Sequence, residues 1–209
     1  MHSFSDVAIA AYCPRKLYYA RRTDREPPAA TRERRALSFR YPELLADPAA
    51  LAAAPIDCRP KEWRRAISTA RDLDYWSAIT NPTDREVLVE GRRCRGIVHK
   101  VLSLASGPVP GMVSAGAPPD HGVWETDSVR AVAAAKALAW ENERPVDRAV
   151  VEYPAHGVVR PIRIGTRRRA TYRRALRTAA SGDEPPPRLR NDAKCQSCEY
   201  RTSCGVQTR

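Results

Sequence analysis

The run Cys195-Gln196-Ser197-Cys198-Glu199-Tyr200-Arg201-Thr202-Ser203-Cys204, near the end of the chain, decides how the rest of the sequence is read. Its pattern is Cys-x-x-Cys-x5-Cys. Two thiolates at the short spacing face one metal centre, and the third returns after a turn. Soft, anionic sulfur suits zinc or an iron–sulfur cluster. Three ligands leave either group one short. Cys13, in the exposed-looking context Tyr12-Cys13-Pro14-Arg15, is the candidate for the fourth. Cys58 and Cys94 stand alone and read as ordinary buried thiols. The residues around 195–204 are polar and small, which argues against cysteines that merely fill a core. Spacing alone weighs zinc and iron–sulfur equally. Either would tie one end of the chain to the other, closing a long loop worth on the order of several kcal/mol by analogy with cross-links.

Working outward, the chain has 209 residues, enough for one domain with a real core. Lys plus Arg total 36 and Asp plus Glu 24, so the formal charge is 36 − 24 = +12. A balance that positive favours an anionic partner, nucleic acid first. The excess is nearly all arginine, which a compositional bias of the genome also produces. No stretch reads as a signal peptide or a membrane span. The alanine-rich run from Leu44 to Pro55 is interrupted by Asp47 and Pro48 and is too short for a bilayer. A soluble, cytoplasmic protein is expected, and in a reducing cytosol six cysteines serve a metal more readily than disulfides.

The order of elements reads as α/β around a mixed sheet. Ser5 is expected to cap a helix over 6–13, and Pro14 to open a second, with Leu17, Tyr18 and Tyr19 turned inward. Residues 23–62 read as loops with short helices. Residues 63–79 read as one helix with Trp63, Ile67, Ala70 and Trp76 near one face. Strands at 86–90 and 97–102 form a hairpin about Gly91. Residues 106–119 read as a Gly/Pro-rich loop holding one short apolar piece, Met112-Val113. The strongest helix spans 126–143, capped by Thr126 or Asp127 and ended by Pro145. Strands at 148–153 and 158–164 turn at His156-Gly157. A basic helix over 166–180 and a proline-rich connector over 183–192 lead to the cysteines.

Two motifs at opposite ends carry a resemblance. Ser3-Phe4-Ser5, followed by Tyr12-Cys13-Pro14-Arg15-Lys16-Leu17-Tyr18-Tyr19, closely resembles the opening of the CRISPR-associated Cas-four exonucleases, and CQSCEYRTSC resembles their ending. That family belongs to the RecB-like nucleases of PD-(D/E)XK fold. The resemblance implies a restriction-endonuclease-like mixed sheet flanked by helices. It implies a four-iron four-sulfur cluster on Cys13, Cys195, Cys198 and Cys204, and tips the balance from zinc to iron–sulfur. It divides the chain into an iron–sulfur module (1–22 with 190–209), a helical or irregular insertion (23–85) and a nuclease-like α/β core (86–189). It implies DNA as partner, single-stranded or with single-stranded ends, and the CRISPR integrase proteins that take up trimmed DNA. DNA repair is the other setting.

The family's catalytic residues are missing. Such nucleases hold Mg²⁺ or Mn²⁺ with carboxylates and a lysine. The resemblance implies an aspartate in Gly-x-x-Asp, a Glu-x-Lys pair on the next strand and Gln-x-x-x-Tyr on the following helix. In Gly96-Ile97-Val98-His99 the aspartate is replaced by His99. Met112 and Ser114 stand for the glutamate and lysine, and Arg130 and Ala134 for the glutamine and tyrosine. Neutral imidazole supplies no negative charge. A DNA-binding protein without cleavage is therefore the first expectation. It uses Arg160, Arg163, Arg167, Arg168, Arg169, Arg173, Arg174 and Arg177, extended by Arg15, Lys16, Arg21 and Arg22, to track phosphates. The same arginines also suit a plain solvated helix face. An active exonuclease using Mg²⁺ or Mn²⁺ would need a divergent site from His99, Glu125 or Asp127. A zinc-held structural protein is the third alternative.

Overall fold

Ser3 opens the first helix rather than Ser5: its hydroxyl accepts the Asp6 N–H at 2.9 Å, and α1 runs Phe4–Tyr12. The computed structural model describes residues 1–23, 26–181 and 184–205. The start of the connector at Asp183 and the last residues of the terminal module, 206–209, lie outside the described residues. Pro14 starts α2 (Pro14–Ala20), where its missing N–H costs nothing. Of the three side chains expected to turn inward only Leu17 is fully buried. Tyr18 and Tyr19 are half-buried.

Short helices follow: α3 (Ala29–Ala36), α4 (Tyr41–Ala46), α5 (Pro48–Ala53), α6 (Pro60–Arg71) and α7 (Trp76–Thr80). The single helix expected over 63–79 is two. Asp72-Leu73-Asp74-Tyr75 forms turns between them, because aspartate competes with the helical backbone for its own hydrogen bonds. Trp63, Ile67 and Ala70 are buried, as the spacing predicts, and the Trp63 indole N–H donates to the Pro154 carbonyl at 2.8 Å.

The six strands are β1 (His2–Ser3), β2 (Asp84–Glu90), β3 (Cys94–Leu104), β4 (Gly107–Val113), β5 (Arg148–Tyr153) and β6 (Val158–Arg163). They form one mixed sheet in which β3 pairs antiparallel with β2 and β4, β4 parallel with β5, and β5 antiparallel with β6. β1 joins β3 in parallel through His2↔Cys94. β4 lies where a Gly/Pro loop was expected. Pro108 and Pro110 are tolerated because the parallel partner β5 begins only at Gly111↔Val150, so their missing N–H groups fall where β4 has a single neighbour.

Between β4 and β5 the chain crosses over through α8 (Glu125–Glu141). Its alanines Ala131, Ala133, Ala134, Ala135 and Ala137 are all buried, as befits a helix enclosed on most sides. α9 (Thr166–Ala180) packs beside it through Tyr172, Ala175, Leu176 and Ala179. A short α10 (Asp192–Gln196) carries Cys195.

The sheet separates two cores. One holds α1, α8 and α9 with Phe4, Val7, Val98, Met112 and Val151. The other holds residues 37–79 against Leu102, Val109 and Val150. Gly96 is needed on the first face: a Cβ there would sit 2.6 Å from the Phe4 ring. Among the described residues no helix is long and apolar enough to cross a membrane.

Candidate functional site

Helices α1 and α2 carry Tyr12, Cys13, Arg15, Lys16 and Tyr19 to one place, and the C-terminal segment meets them there. The Tyr12 hydroxyl donates to the Lys194 carbonyl at 3.0 Å, and the Lys194 ammonium returns a bond to the Tyr12 carbonyl at 3.2 Å. Tyr19 stacks on Tyr200 and its hydroxyl donates to the Ser203 carbonyl at 3.0 Å. Lys16 pairs with Glu199 at 3.4 Å. Local turns shape the segment itself, with Cys198 N–H bonded to the Cys195 carbonyl and Cys204 N–H to the Tyr200 carbonyl.

Cys13, Cys195, Cys198 and Cys204 all line one cavity, and all four are free, half-exposed thiols. Cys94 is fully buried and Cys58 half-buried, both outside that cavity. The same walls carry Arg15, Lys16, Arg188, Lys194 and Arg201. Among the described residues no three His, Cys, Asp or Glu side chains converge on a single-ion site. The donor chemistry, four thiols lining one cavity, is what fits a metal group here.

A groove lined by Ser5, Ala8, Tyr12, Lys16, Asp127 and Arg130 runs from this cavity toward the start of α8. There the sheet and helix gather a polar cluster. His99 is 7% exposed, and its Nδ1 accepts the Val113 N–H at 3.2 Å. Arg130 donates to the Val113 carbonyl at 3.0 Å and to Asp127 at 3.2 Å. The other Asp127 oxygen accepts the Tyr153 hydroxyl at 2.9 Å. Asp127 is therefore not the helix cap: Trp124 occupies that position without a side-chain capping bond. Burial first, then the charge of Asp127, hold the Tyr153 phenol well above its ordinary range.

Burial is also the main cause that lowers His99 to a pKa of about 3, helped by Arg130, Arg35 and Lys100. Arg35 itself is lowered by burial and by Arg130. Its Nε and that of Arg130 are buried without a partner. Glu86, at φ 51°, lies where the β2–β3 register skips a position opposite His99. Met112 is 1% exposed within the apolar core, and Ser114 N–H donates to the Glu152 carbonyl at 2.8 Å. His99 and Arg130 thus meet around Val113, while Met112 and Ser114 present no metal-binding group to them.

A pH dependence follows. The unfolded imidazole takes up its proton near 6.5 and the folded one near 3. Between those values the unfolded chain binds more protons, so stability falls as the pH drops through that window. His99→Gln is expected to flatten the slope by up to about 1.4 kcal/mol per pH unit. Urea unfolding from pH 7 down to 4 measures it, and an unchanged slope would show that His99 is not held neutral.

The basic residues do not form one free patch. Arg160 donates to the Gly122 and Asp120 carbonyls, and Arg168 to the Arg163 carbonyl at 3.2 Å. Arg15 donates to the Pro186 carbonyl, Arg21 pairs with Asp6 at 3.0 Å, and Arg22 lies over the Tyr18 ring. Arg163, Arg167, Arg169, Arg173, Arg174 and Arg177 are exposed. Sequence reasoning missed Arg35, Tyr153 and the buried pair Lys100–Glu152. The only trace of that pair was one charge inside each of two apolar strands. Compared with known proteins, the chain matches no family model and no curated protein.

Proposed function

We propose that this chain is a Cas-four-like iron–sulfur protein of PD-(D/E)XK architecture that binds DNA, single-stranded or with single-stranded ends, without cutting it. Its setting is cytoplasmic, in CRISPR adaptation beside the integrase proteins or in DNA repair. The observation that carries the reading is that Cys13 and the three late cysteines, from opposite ends of the chain, line a single cavity. The resemblance of both terminal motifs is what favours an iron–sulfur cluster over zinc at these four cysteines. Cys13, Cys195, Cys198 and Cys204 would hold the cluster, which supplies a cross-link between the termini and a one-electron centre.

The loss of cleavage has an electrostatic basis. A nuclease metal needs a surplus of carboxylates. Here a neutral His99 lies near Arg35 and Arg130, and Asp127 is already bonded to Arg130 and Tyr153.

Anaerobic metal analysis and a nuclease assay on one sample test both parts. Iron with matching sulfide, a brown colour, and no degradation of single-stranded DNA with Mn²⁺ are expected. A colourless protein with bound zinc would remove the cluster. Cleavage abolished by His99→Ala would remove the second part. Binding to DNA should weaken steeply with salt, by a log–log slope of about −0.7 per phosphate neutralised on a single strand.

A further inference from the structure

Helix α8 bears the polar cluster at its start and a different feature at its end. Trp140 is 58% exposed there. It borders a groove of about 330 Å³, within the size range of ligand sites, whose rim carries Arg92, Arg93, Lys136 and Arg173. These cations come from the β2–β3 turn, α8 and α9, and all four are exposed. Among the described residues none of them forms an ion pair. The nearby acids are engaged elsewhere: Glu141 accepts the Glu90 N–H at 2.6 Å, and Glu90 pairs with Arg95 at 3.4 Å. The Arg92 guanidinium stands 5.9 Å from the Trp140 ring centre.

The groove is built into the fold. Gly91 lets the β2–β3 turn press against α8, since a Cβ there would meet the Ala137 backbone at 2.7 Å. Cys94 and Tyr172 close the floor, with Sγ and hydroxyl 3.2 Å apart and both side chains buried. The cations therefore gather around a preformed depression.

We propose that this groove binds a single-stranded nucleic acid segment, with a base stacked on Trp140 and phosphates against Arg92, Arg93, Lys136 and Arg173. Four gathered cations without acidic partners call for a polyanion. An exposed indole beside them selects a polyanion that carries flat rings, and single strands offer base faces that a duplex hides. An acidic peptide would use the charges and leave the indole idle. Trp140 lies ten residues beyond Arg130, roughly 15 Å along the helix axis, so the groove is a contact separate from the polar cluster. The inference rests on the DNA-binding reading and adds where the strand is held.

Fluorescence anisotropy with a labelled oligothymidine of about fifteen nucleotides tests it. Trp140→Ala is expected to weaken binding at least about 5-fold, the lower end of one stacked base, while Trp140→Phe stays within about 2-fold. With an abasic oligomer of equal length, Trp140→Ala should match the wild type. Replacing Arg92, Arg93 and Lys136 by Gln should flatten the log–log salt slope by about 2. All these side chains are exposed, and thermal melts confirm that the variants fold. Wild-type binding that every variant reproduces overturns the groove and leaves DNA binding elsewhere intact. No binding by the wild type overturns both. A poly-glutamate peptide bound more tightly than the oligomer, with the same loss in Trp140→Ala, gives the groove to a protein partner and also overturns the proposal.

Discussion

Cys13→Ser, purified without oxygen, is expected to lose most of its iron and colour and to melt about 10–20 °C below the wild type. The magnitude comes from loop closure. Cys13 and Cys195 bracket roughly 180 residues, and cross-linking a loop of that length removes about 5 kcal/mol of unfolded-state entropy. In a chain of this size each kcal/mol moves the melting point by about 2–4 °C. The protein contacts across the same junction do not substitute for the cross-link. The Tyr12–Lys194 bonds and the Tyr19–Ser203 bond are half-exposed or exposed, each worth about 1 kcal/mol, and the partly exposed Lys16–Glu199 pair less. Chelating the metal from the wild type should give the same loss, because the ligands and not the serine hydroxyl are at issue. Cys58→Ser, remote from the cavity, is the control and should keep its iron. A Cys13→Ser protein with full iron content would place the fourth ligand elsewhere, and the joining of the two ends through metal would fall with it.

The parts of the fold legible in the sequence are those whose determinants are local. The helix expected over 166–180 has those bounds as α9, because Gly165 precedes it and the apolar positions Tyr172, Ala175, Leu176 and Ala179 recur at helical spacing. The turn at Gly157 was readable because it needs φ 64°, which glycine takes without strain. Two of the errors share a cause: a neighbour distant in sequence settles the local choice. β4 looked like a loop on account of Pro108 and Pro110, and only the late arrival of β5 beside it makes those prolines tolerable. Asp127 looked like a cap because it opens a helix, yet Tyr153, from the far end of β5, claims its carboxylate. That Cys13 would lie beside the three late cysteines was legible from the two terminal motifs, and the fold adds the tyrosine and lysine contacts that bring residue 13 to them. Arg35 was not legible as part of the polar cluster, since nothing in a run of exposed arginines marks the one that reaches inward.

Lys100→Met is expected to cost about 3–5 kcal/mol, a loss of roughly 6–20 °C in melting temperature. The Lys100 ammonium is fully buried and spends its three donors on the Ser38 carbonyl at 2.7 Å, the Ile79 carbonyl at 3.0 Å and Glu152 at 2.8 Å. Phe39 and Tyr41 present their rings to it at 5.3 and 5.0 Å. One side chain from β3 thereby fastens two separate pieces of the helical layer, at 38 and 79, to the central strands. Burial pushes the Lys100 amine down and the Glu152 carboxyl up, and each partner's charge opposes the shift. Removing the cation leaves an uncompensated carboxylate with no exposed surface, which is where the cost arises. The double replacement Lys100→Met with Glu152→Leu removes both charges and should recover most of the loss, the pattern expected of a buried pair that fixes geometry more than it adds net stability. Denaturant unfolding of the two single variants and the double variant measures the coupling. Additive losses would show that the pair does not act as a unit. A strong coupling together with unchanged iron content would show that the clasp holds the helical layer independently of the proposed cluster.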